Sequence, residues 1–207
     1  MDNIIGEKEY DALSGLGWFT RDHFLDAALA QALCADFLNL QQAGALQQAG
    51  IGRGHQHQHA GDIRTDHTYW LDGSTPAQAQ FLHIMDALRQ DINRTLFMGL
   101  HDYEAHYASY QAGGFYKKHL DSFKGRKNRL LSTVLYLTPG WRAEDQGHLV
   151  LYDAHAHERE IGRVLPRAGT LACFLSEDIP HEVLPPLRER ISIAGWFRGP
   201  SSDIINP

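Results

Sequence analysis

From about Asp102 onward the apolar residues of this chain recur at every second position, and they do so as far as Arg198. A period of two marks half-buried strands, because successive side chains on an extended backbone point to opposite faces. The segments are Tyr103–Tyr110, Phe115–Lys118, Leu130–Thr138, His148–Tyr152, Ile161–Leu165, Thr170–Leu175, His181–Leu184 and Arg190–Arg198. Turn residues separate them at Gly113–Gly114, Lys124–Gly125, Pro139–Gly140, Gln146–Gly147, Ala168–Gly169 and Pro185–Pro186. Short, evenly spaced strands without helices between them predict an antiparallel sandwich or jelly roll. A βαβ fold is excluded, since it needs repeated crossover helices.

The first half of the chain has a helical period. Gly15–Phe19 reads as a short extended lead-in, and Thr20 is placed to cap a helix carrying Phe24, Leu25, Ala28, Leu29, Ala32, Leu33 and Phe37. Gln41 to Gly50 continues it as a polar, alanine-rich run. Ser74 or Thr75 caps a second helix, with Pro76 in the first turn and Phe81, Ile84, Met85, Leu88, Ile92 and Leu96 as its stripe. Phe97–Met98 belongs to its end, and Gly99 stops it. Both helices are expected as braces on one sheet face. Between them, residues 51–72 carry His55, His57 and His59 among glycines, with no carboxylate fixed beside them. That pattern favours a mobile loop near a binding surface over a metal site, with Arg53, Arg64 and Trp70 as contact residues.

At 207 residues the chain is expected to be one domain: residues 1–100 as helical support and covering loop, 101–200 as the β core. A net charge of -6 argues against a generally basic, nucleic-acid-gripping surface. Cys34 and Cys173 are too few for a disulfide scaffold and read as buried free thiols of a reducing compartment. No apolar run reaches membrane-spanning length, and Met1 to Tyr10 lacks the segments of a signal peptide. A monomeric cytoplasmic protein is the expectation.

Chemistry concentrates in Phe115–Asp121, with His181 sixty positions after Asp121 and Arg190 nine beyond that. His119 and Asp121 are two apart, so an extended strand would point both to one side. A late strand returning beside an early one would add His181, held in register between Pro180 and Pro185–Pro186. Two imidazoles and a carboxylate on one face leave half an octahedral sphere open, as non-haem Fe(II) chemistry with O2 and a co-substrate requires. His101, His106, His148, His155 and His157 compete for the ligand role on spacing alone. Arg190 opens the most apolar strand, where alternation puts Arg190, Ser192, Ala194 and Trp196 on one face and Ile191, Ile193 and Phe197 on the other. An inward arginine needs an anion, either a bound carboxylate or a neighbouring acid such as Glu182 or Glu189. Ser132, Val134 and Tyr136 share a face of their own strand, and the Tyr136 hydroxyl can reach the same anion.

The run Tyr110–Asp121, the later Pro180–His181–Glu182–Val183 and Arg190 resemble the Fe(II)- and 2-oxoglutarate-dependent oxygenases. The resemblance is greatest to bacterial relatives of the oxygen-sensing (hypoxia-inducible factor) prolyl 4-hydroxylases. It extends through Leu135–Tyr136–Leu137, Trp141, Gly147–His148–Leu149, Trp196 and Asp62–Asp66 with Trp70. It implies a double-stranded β-helix (jelly roll) with helices on the major sheet, and His119, Asp121 and His181 as ligands of Fe(II). It implies Arg190 on the distal carboxylate of 2-oxoglutarate, with Tyr110 and Tyr136 hydrogen-bonding nearby and O2 as second co-substrate. Tyr116 would line the mouth or hold a water, Trp196 would pack beside the ligand strand, and Arg129 would face substrate together with Arg64. The loop from Gly52 to Trp70 would cover the substrate. Ala194 stands where a hydroxyl residue is familiar, so Ser192 would supply it, and Gln146 replaces the first of two adjacent glycines.

The resemblance implies 4-hydroxylation of a prolyl residue in a protein, coupled to decarboxylation of 2-oxoglutarate, with ascorbate as reductant. A translation factor such as elongation factor Tu is the partner it suggests. The rival enzyme reading keeps the cofactors but acts on another side chain or on free proline. The non-enzyme rival is a cupin-like metal sensor, and a nucleic-acid demethylase fits poorly with the acidic balance.

Overall fold

A computed structural model describes residues 4–50, 61–122 and 128–200. Helix α1, Glu7–Leu16, opens with the Glu9 carboxylate accepting from the Gly6 amide at 2.9 Å. Gly17 ends it at φ 80, in the left-handed conformation. The sequence reading passed over α1 because only Tyr10 and Leu13 are buried on it, too sparse a stripe to show a period. Strand β1, Trp18–Arg21, follows, so Thr20 lies in a strand and caps nothing. Helix α2, Ala27–Gln42, is capped by Asp26, whose carboxylate accepts from the Leu29 amide at 2.7 Å. Short strand β2, Gln47–Gln48, occupies what read as a continuation of α2. Beyond it, residues 51–60, with the three alternating histidines and the first part of the expected covering loop, lie outside the described residues, as does the Lys124–Gly125 turn.

Strand β3, His67–Trp70, leads to helix α3, Pro76–Leu96. Its cap is Thr75, which accepts from the Gln78 amide at 3.3 Å. The helix stops two residues earlier than expected, because Phe97 itself turns left-handed at φ 53 ahead of Gly99. Then come the strands read from the alternating pattern: β4 Asp102–Tyr110, β5 Tyr116–His119, β6 Arg129–Tyr136, β7 Leu149–Tyr152, β8 Glu160–Val164, β9 Leu171–Leu175, β10 His181–Val183 and β11 Arg190–Arg198.

The expected jelly roll is not what these strands make. The fold is mixed α/β, with N-terminal helices and two open antiparallel sheets. One has the order β1-β9-β6-β11-β4-β3-β2 and the other β5-β10-β7-β8. Closing a barrel requires hydrogen bonding from edge to edge, and here the ladders stop at β1 and β2 in one sheet and at β5 and β8 in the other. The larger sheet also takes three strands from the half of the chain read as helical support. At two to four residues each, they are too short to carry a detectable period of two.

Each face of the large sheet has its own core. Ile191, Ile193 and Phe197 pack with Leu33, Phe37, Phe81, Met85, Leu88 and Ile92 of the helices; each fully buried side chain there contributes about 1.5–3 kcal/mol. On the opposite face Ala108, Tyr110, Tyr136, Ala172 and Phe174 meet Leu149, Leu151 and Val183 of the small sheet. Cys173 is buried and Cys34 half-buried, both as free thiols. No helix among the described residues is long and apolar enough to cross a membrane.

The turn before β7 holds a strained residue. Gln146 has φ 59 and ψ -134, a region that glycine tolerates and other residues seldom visit. Its neighbour Gly147 (φ 66) lies so close to Pro186 that an added Cβ would meet the proline ring at 2.9 Å. Replacing exposed Gln146 with glycine is expected to stabilise the fold by about 1 kcal/mol, since relief of strain exceeds the added chain entropy. The melting temperature should rise by roughly 2–4 °C, whereas a fall would show the turn to be unstrained.

Candidate metal and co-substrate site

Strands β5 and β10 are antiparallel partners in which His119 stands opposite His181. Their rings lie 4.3 Å apart between centroids. Strand β5 ends at His119, so Asp121 sits in the bend beyond it and is not oriented by strand alternation as the sequence suggested. A contact from the other sheet sets its place: Ser132 of β6 donates to Asp121 Oδ2 at 2.6 Å, and Ser176 lies 2.8 Å from the Ser132 hydroxyl. One ligand atom each from His119, Asp121 and His181 can lie within 4.8 Å of the other two. The competing histidines His101, His106, His148, His155 and His157 form no such cluster among the described residues.

Backbone carbonyls fix both imidazoles. His119 Nδ1 is 2.8 Å from the Lys117 carbonyl and His181 Nδ1 is 3.1 Å from that of Ile179. A carbonyl only accepts, so each Nδ1 carries the proton and each Nε2 keeps its lone pair. Those Nε2 atoms lie 3.4 and 3.5 Å from the two Asp121 oxygens. Burial, then the neighbouring His119, pulls His181 down to about 4, so it is neutral near pH 7. Burial alone would raise the Asp121 carboxyl, but the positive charge that His181 and His119 carry when protonated, with the Ser132 hydroxyl, holds it well below the usual carboxylate range in the absence of a metal. Two imidazole nitrogens and one carboxylate within reach of a common point form a set that suits a divalent transition metal with open positions.

Arg190, at the start of β11, is 1% exposed. Tyr110 and Tyr136 flank its guanidinium with ring centroids at 5.2 and 4.9 Å. Nη1 donates to Ser192 Oγ at 3.3 Å. Nε, Nη2 and the Tyr136 hydroxyl are buried without a hydrogen-bond partner among the described residues. Neither proposed acid meets the arginine: Glu189 accepts from Gln41, Ser109 and Gln111, and Glu182 accepts from Tyr152. Burial raises the Tyr136 phenol, so its hydroxyl remains a donor. A buried cation with two idle donors beside an idle hydroxyl costs several kcal/mol unless an anion fills the space. A carboxylate accepting from Arg190 and Tyr136 together would satisfy these donors.

The remaining predicted site residues pack on the ligand histidines or on one another. Tyr116 stacks on His119 at 3.6 Å, with the Arg64 guanidinium 4.4 Å from the tyrosine ring centroid. Arg64 is occupied, donating to buried Asp66 at 2.8 and 2.5 Å. The Arg129 guanidinium lies over the Trp196 ring at 3.6 Å and donates twice to Glu104, at 3.0 and 2.9 Å. Trp196 is paired in register with Ser132 and with Glu104, one strand to either side. Trp70 packs against His106 and Trp196 and remains 52% exposed. The sequence reading gave no role to Ser132 or Glu104. Strand parity placed Ser132 on the site face, but nothing local showed which partner it would meet.

The family model described as the 2OG-Fe(II) oxygenase superfamily matches residues 105–198, the span that carries His119, Asp121, His181 and Arg190. A crystal structure of a Pseudomonas putida prolyl-4-hydroxylase is 42% identical, with a TM-score of 0.83 over 94% of this chain and 98% of that one. A prolyl hydroxylase from Trichoplax adhaerens, solved with a hypoxia inducible factor oxygen degradation domain peptide fragment, is 25% identical. Its TM-score is 0.80 over 92% of this chain and 87% of that one. The hypoxia-inducible factor prolyl hydroxylase of Caenorhabditis elegans is 28% identical over 93% of this chain, which spans only 28% of that protein's length. The chain belongs to the 2OG-Fe(II) oxygenase superfamily, as a homologue of the bacterial and eukaryotic prolyl 4-hydroxylases. Fe(II), 2-oxoglutarate and O2 are the cofactor and co-substrates of that superfamily.

Proposed function

We propose that this chain hydroxylates a prolyl residue of a protein at the 4-position while converting 2-oxoglutarate to succinate and CO2. The observation that carries the reading is the pairing of a His119–Asp121–His181 cluster with buried Arg190, whose free donors call for a carboxylate. Similarity to the P. putida prolyl-4-hydroxylase over nearly the whole chain supports the choice of substrate residue. The peptide complex of the T. adhaerens relative supports a protein segment over a free amino acid.

His119 and His181 would hold Fe(II) through Nε2, and Asp121 through one carboxylate oxygen. Arg190 would take the distal carboxylate of 2-oxoglutarate in a charge-assisted pair, with Tyr136 donating to it and Ser192 and Tyr110 shaping the pocket. When bound, iron and 2-oxoglutarate supply the O2 activation that side chains cannot perform. The chain's own work is placement and neutralisation. The ferrous ion, Asp121, the dianion and Arg190 sum to zero charge, which a dry interior requires. Tyr116, clamped between His119 and Arg64, would wall the cavity, and Trp70, Trp196 and Arg129 would meet the substrate segment.

The proposal is tested by supplying Fe(II), 2-oxoglutarate and ascorbate with a cell lysate and mapping oxygen-dependent mass gain on proteins. Gain on proline supports it, and elongation factor Tu is the first protein to inspect. Gain only on another residue type, or no consumption of 2-oxoglutarate, overturns it. Ser132→Ala should weaken metal affinity about 10–100-fold, the usual cost of losing a hydrogen bond to a ligand, while the fold melts normally. Unchanged affinity for Mn(II) in a titration would show that Asp121 needs no such support.

A further inference from the structure

The three ligand side chains are not equally held. His181 sits on β10, between β5 and β7, with 6% of its side chain exposed and Phe174 against its ring at 4.6 Å. Asp121 is tethered from the other sheet by Ser132. His119 is the last residue of β5, at the end of the small sheet's strand order, and 17% of its side chain is exposed. Its Nδ1 contact with the Lys117 carbonyl fixes the tautomer but lies where water competes for it. Metal affinity depends on keeping such a ring oriented.

We propose that Tyr116 is a positioning residue for this ligand. Backed by the Arg64–Asp66 pair, its ring holds the His119 imidazole at the angle from which Nε2 meets a metal. The inference rests on the metal-site reading above and adds a residue to what keeps that site in shape.

Strand alternation alone would put Tyr116 and His119, three apart, on opposite faces of β5. A bulge overrides it: between the pairs made with Val183 and His181, β5 advances three residues while β10 advances two. The extra residue brings Tyr116 to the His119 face, where the rings stack with centroids 3.6 Å apart and planes 16° from parallel. Bulges beside active sites re-aim side chains in this way.

The other face of the phenol ring is covered too. The Arg64 guanidinium carbon lies over the ring, 4.4 Å from its centroid. With the imidazole already stacked on one face, it can only occupy the opposite one. Fully buried Asp66 accepts from Arg64 Nε and Nη2 at 2.8 and 2.5 Å, so the fork is held in place over the ring. Backbone bonds fasten the same segment to β5. The Thr65 amide donates to the Phe115 carbonyl at 3.1 Å, and the Lys117 amide donates to the Ile63 carbonyl at 2.9 Å. Arg64 and Tyr116 are thereby paired across the edge of β5 away from β10. A cation on one π face and an imidazole on the other leave the tyrosine little freedom to turn.

The test is titration of the full chain with Mn(II), and with Co(II) as an optical probe, beside melting curves of the metal-free proteins. Tyr116→Leu should weaken Mn(II) binding about tenfold, the lower end of what ligand-orienting contacts contribute. It should also alter the visible absorption band of the Co(II) complex. Tyr116→Phe, which keeps the ring, should retain the wild-type affinity and band. Arg64→Lys leaves Asp66 a cation but takes the flat fork off the ring, and should weaken Mn(II) binding in the same direction. A merely structural tyrosine would lower the melting temperature in Tyr116→Leu and leave the affinity and band of the folded protein unchanged. That result overturns the proposal, as does a Tyr116→Phe variant as weak as Tyr116→Leu. If Tyr116→Leu does not fold, wild-type affinity in Arg64→Lys overturns it. If the wild-type chain takes up neither Mn(II) nor Co(II), the metal-site reading falls and this inference falls with it.

Discussion

Arg190→Met should give a chain that folds, melts at a higher temperature than the wild type without ligand, and no longer responds to 2-oxoglutarate. The wild-type guanidinium is buried with Nε and Nη2 unpartnered among the described residues. Removing an uncompensated buried charge and filling its volume with an apolar chain is stabilising in general. The same change deletes the partner of the distal carboxylate, at about 2–5 kcal/mol, or roughly 30- to several-thousand-fold in the 2-oxoglutarate requirement. Melting curves with and without 2-oxoglutarate read both effects. The wild type should show a ligand-dependent rise that the variant lacks. An unchanged 2-oxoglutarate requirement would place the anion elsewhere.

Asp121→Ala should have the larger effect on chemistry. It removes the one anionic member of the cluster and leaves two neutral imidazoles, so metal affinity should fall by more than the 10–100-fold typical of losing an outer hydrogen bond. Succinate formation should disappear with it. Anaerobic titration with Fe(II), read alongside succinate release, measures the two together. Full activity in this variant would refute the assignment of all three ligands.

Much of this was legible in the chain. The eight late strands have boundaries within two residues of those observed, because alternation is a local property of an extended backbone. The face assignments on β11 and β6 follow from the same parity. Ile191, Ile193 and Phe197 do meet the helices, while Arg190 and Ser192 meet each other on the far side. Thr75 and Pro76 announced α3 through first-turn chemistry, which needs only neighbouring residues.

What failed depended on distant partners. Thr20 and Asp26 are both capable caps, and pairing of β1 with β9 decided between them by drawing Thr20 into a sheet. The expected rolled barrel became two open sheets because edge pairing is a contact between remote strands that no local pattern encodes. Arg64 and Arg129 looked alike as free contact residues, yet Asp66 and Glu104 occupy both.

By itself the sequence determined which residue types could ligate, the faces of β6 and β11, and that an arginine would point inward, since these follow from residue chemistry and a period of two. Only the tertiary structure decided that Asp121 is steered by Ser132 from the opposite sheet, and that no acid among the described residues reaches Arg190. Such facts depend on distances between segments far apart in the chain, and those distances exist only once the core has closed around them.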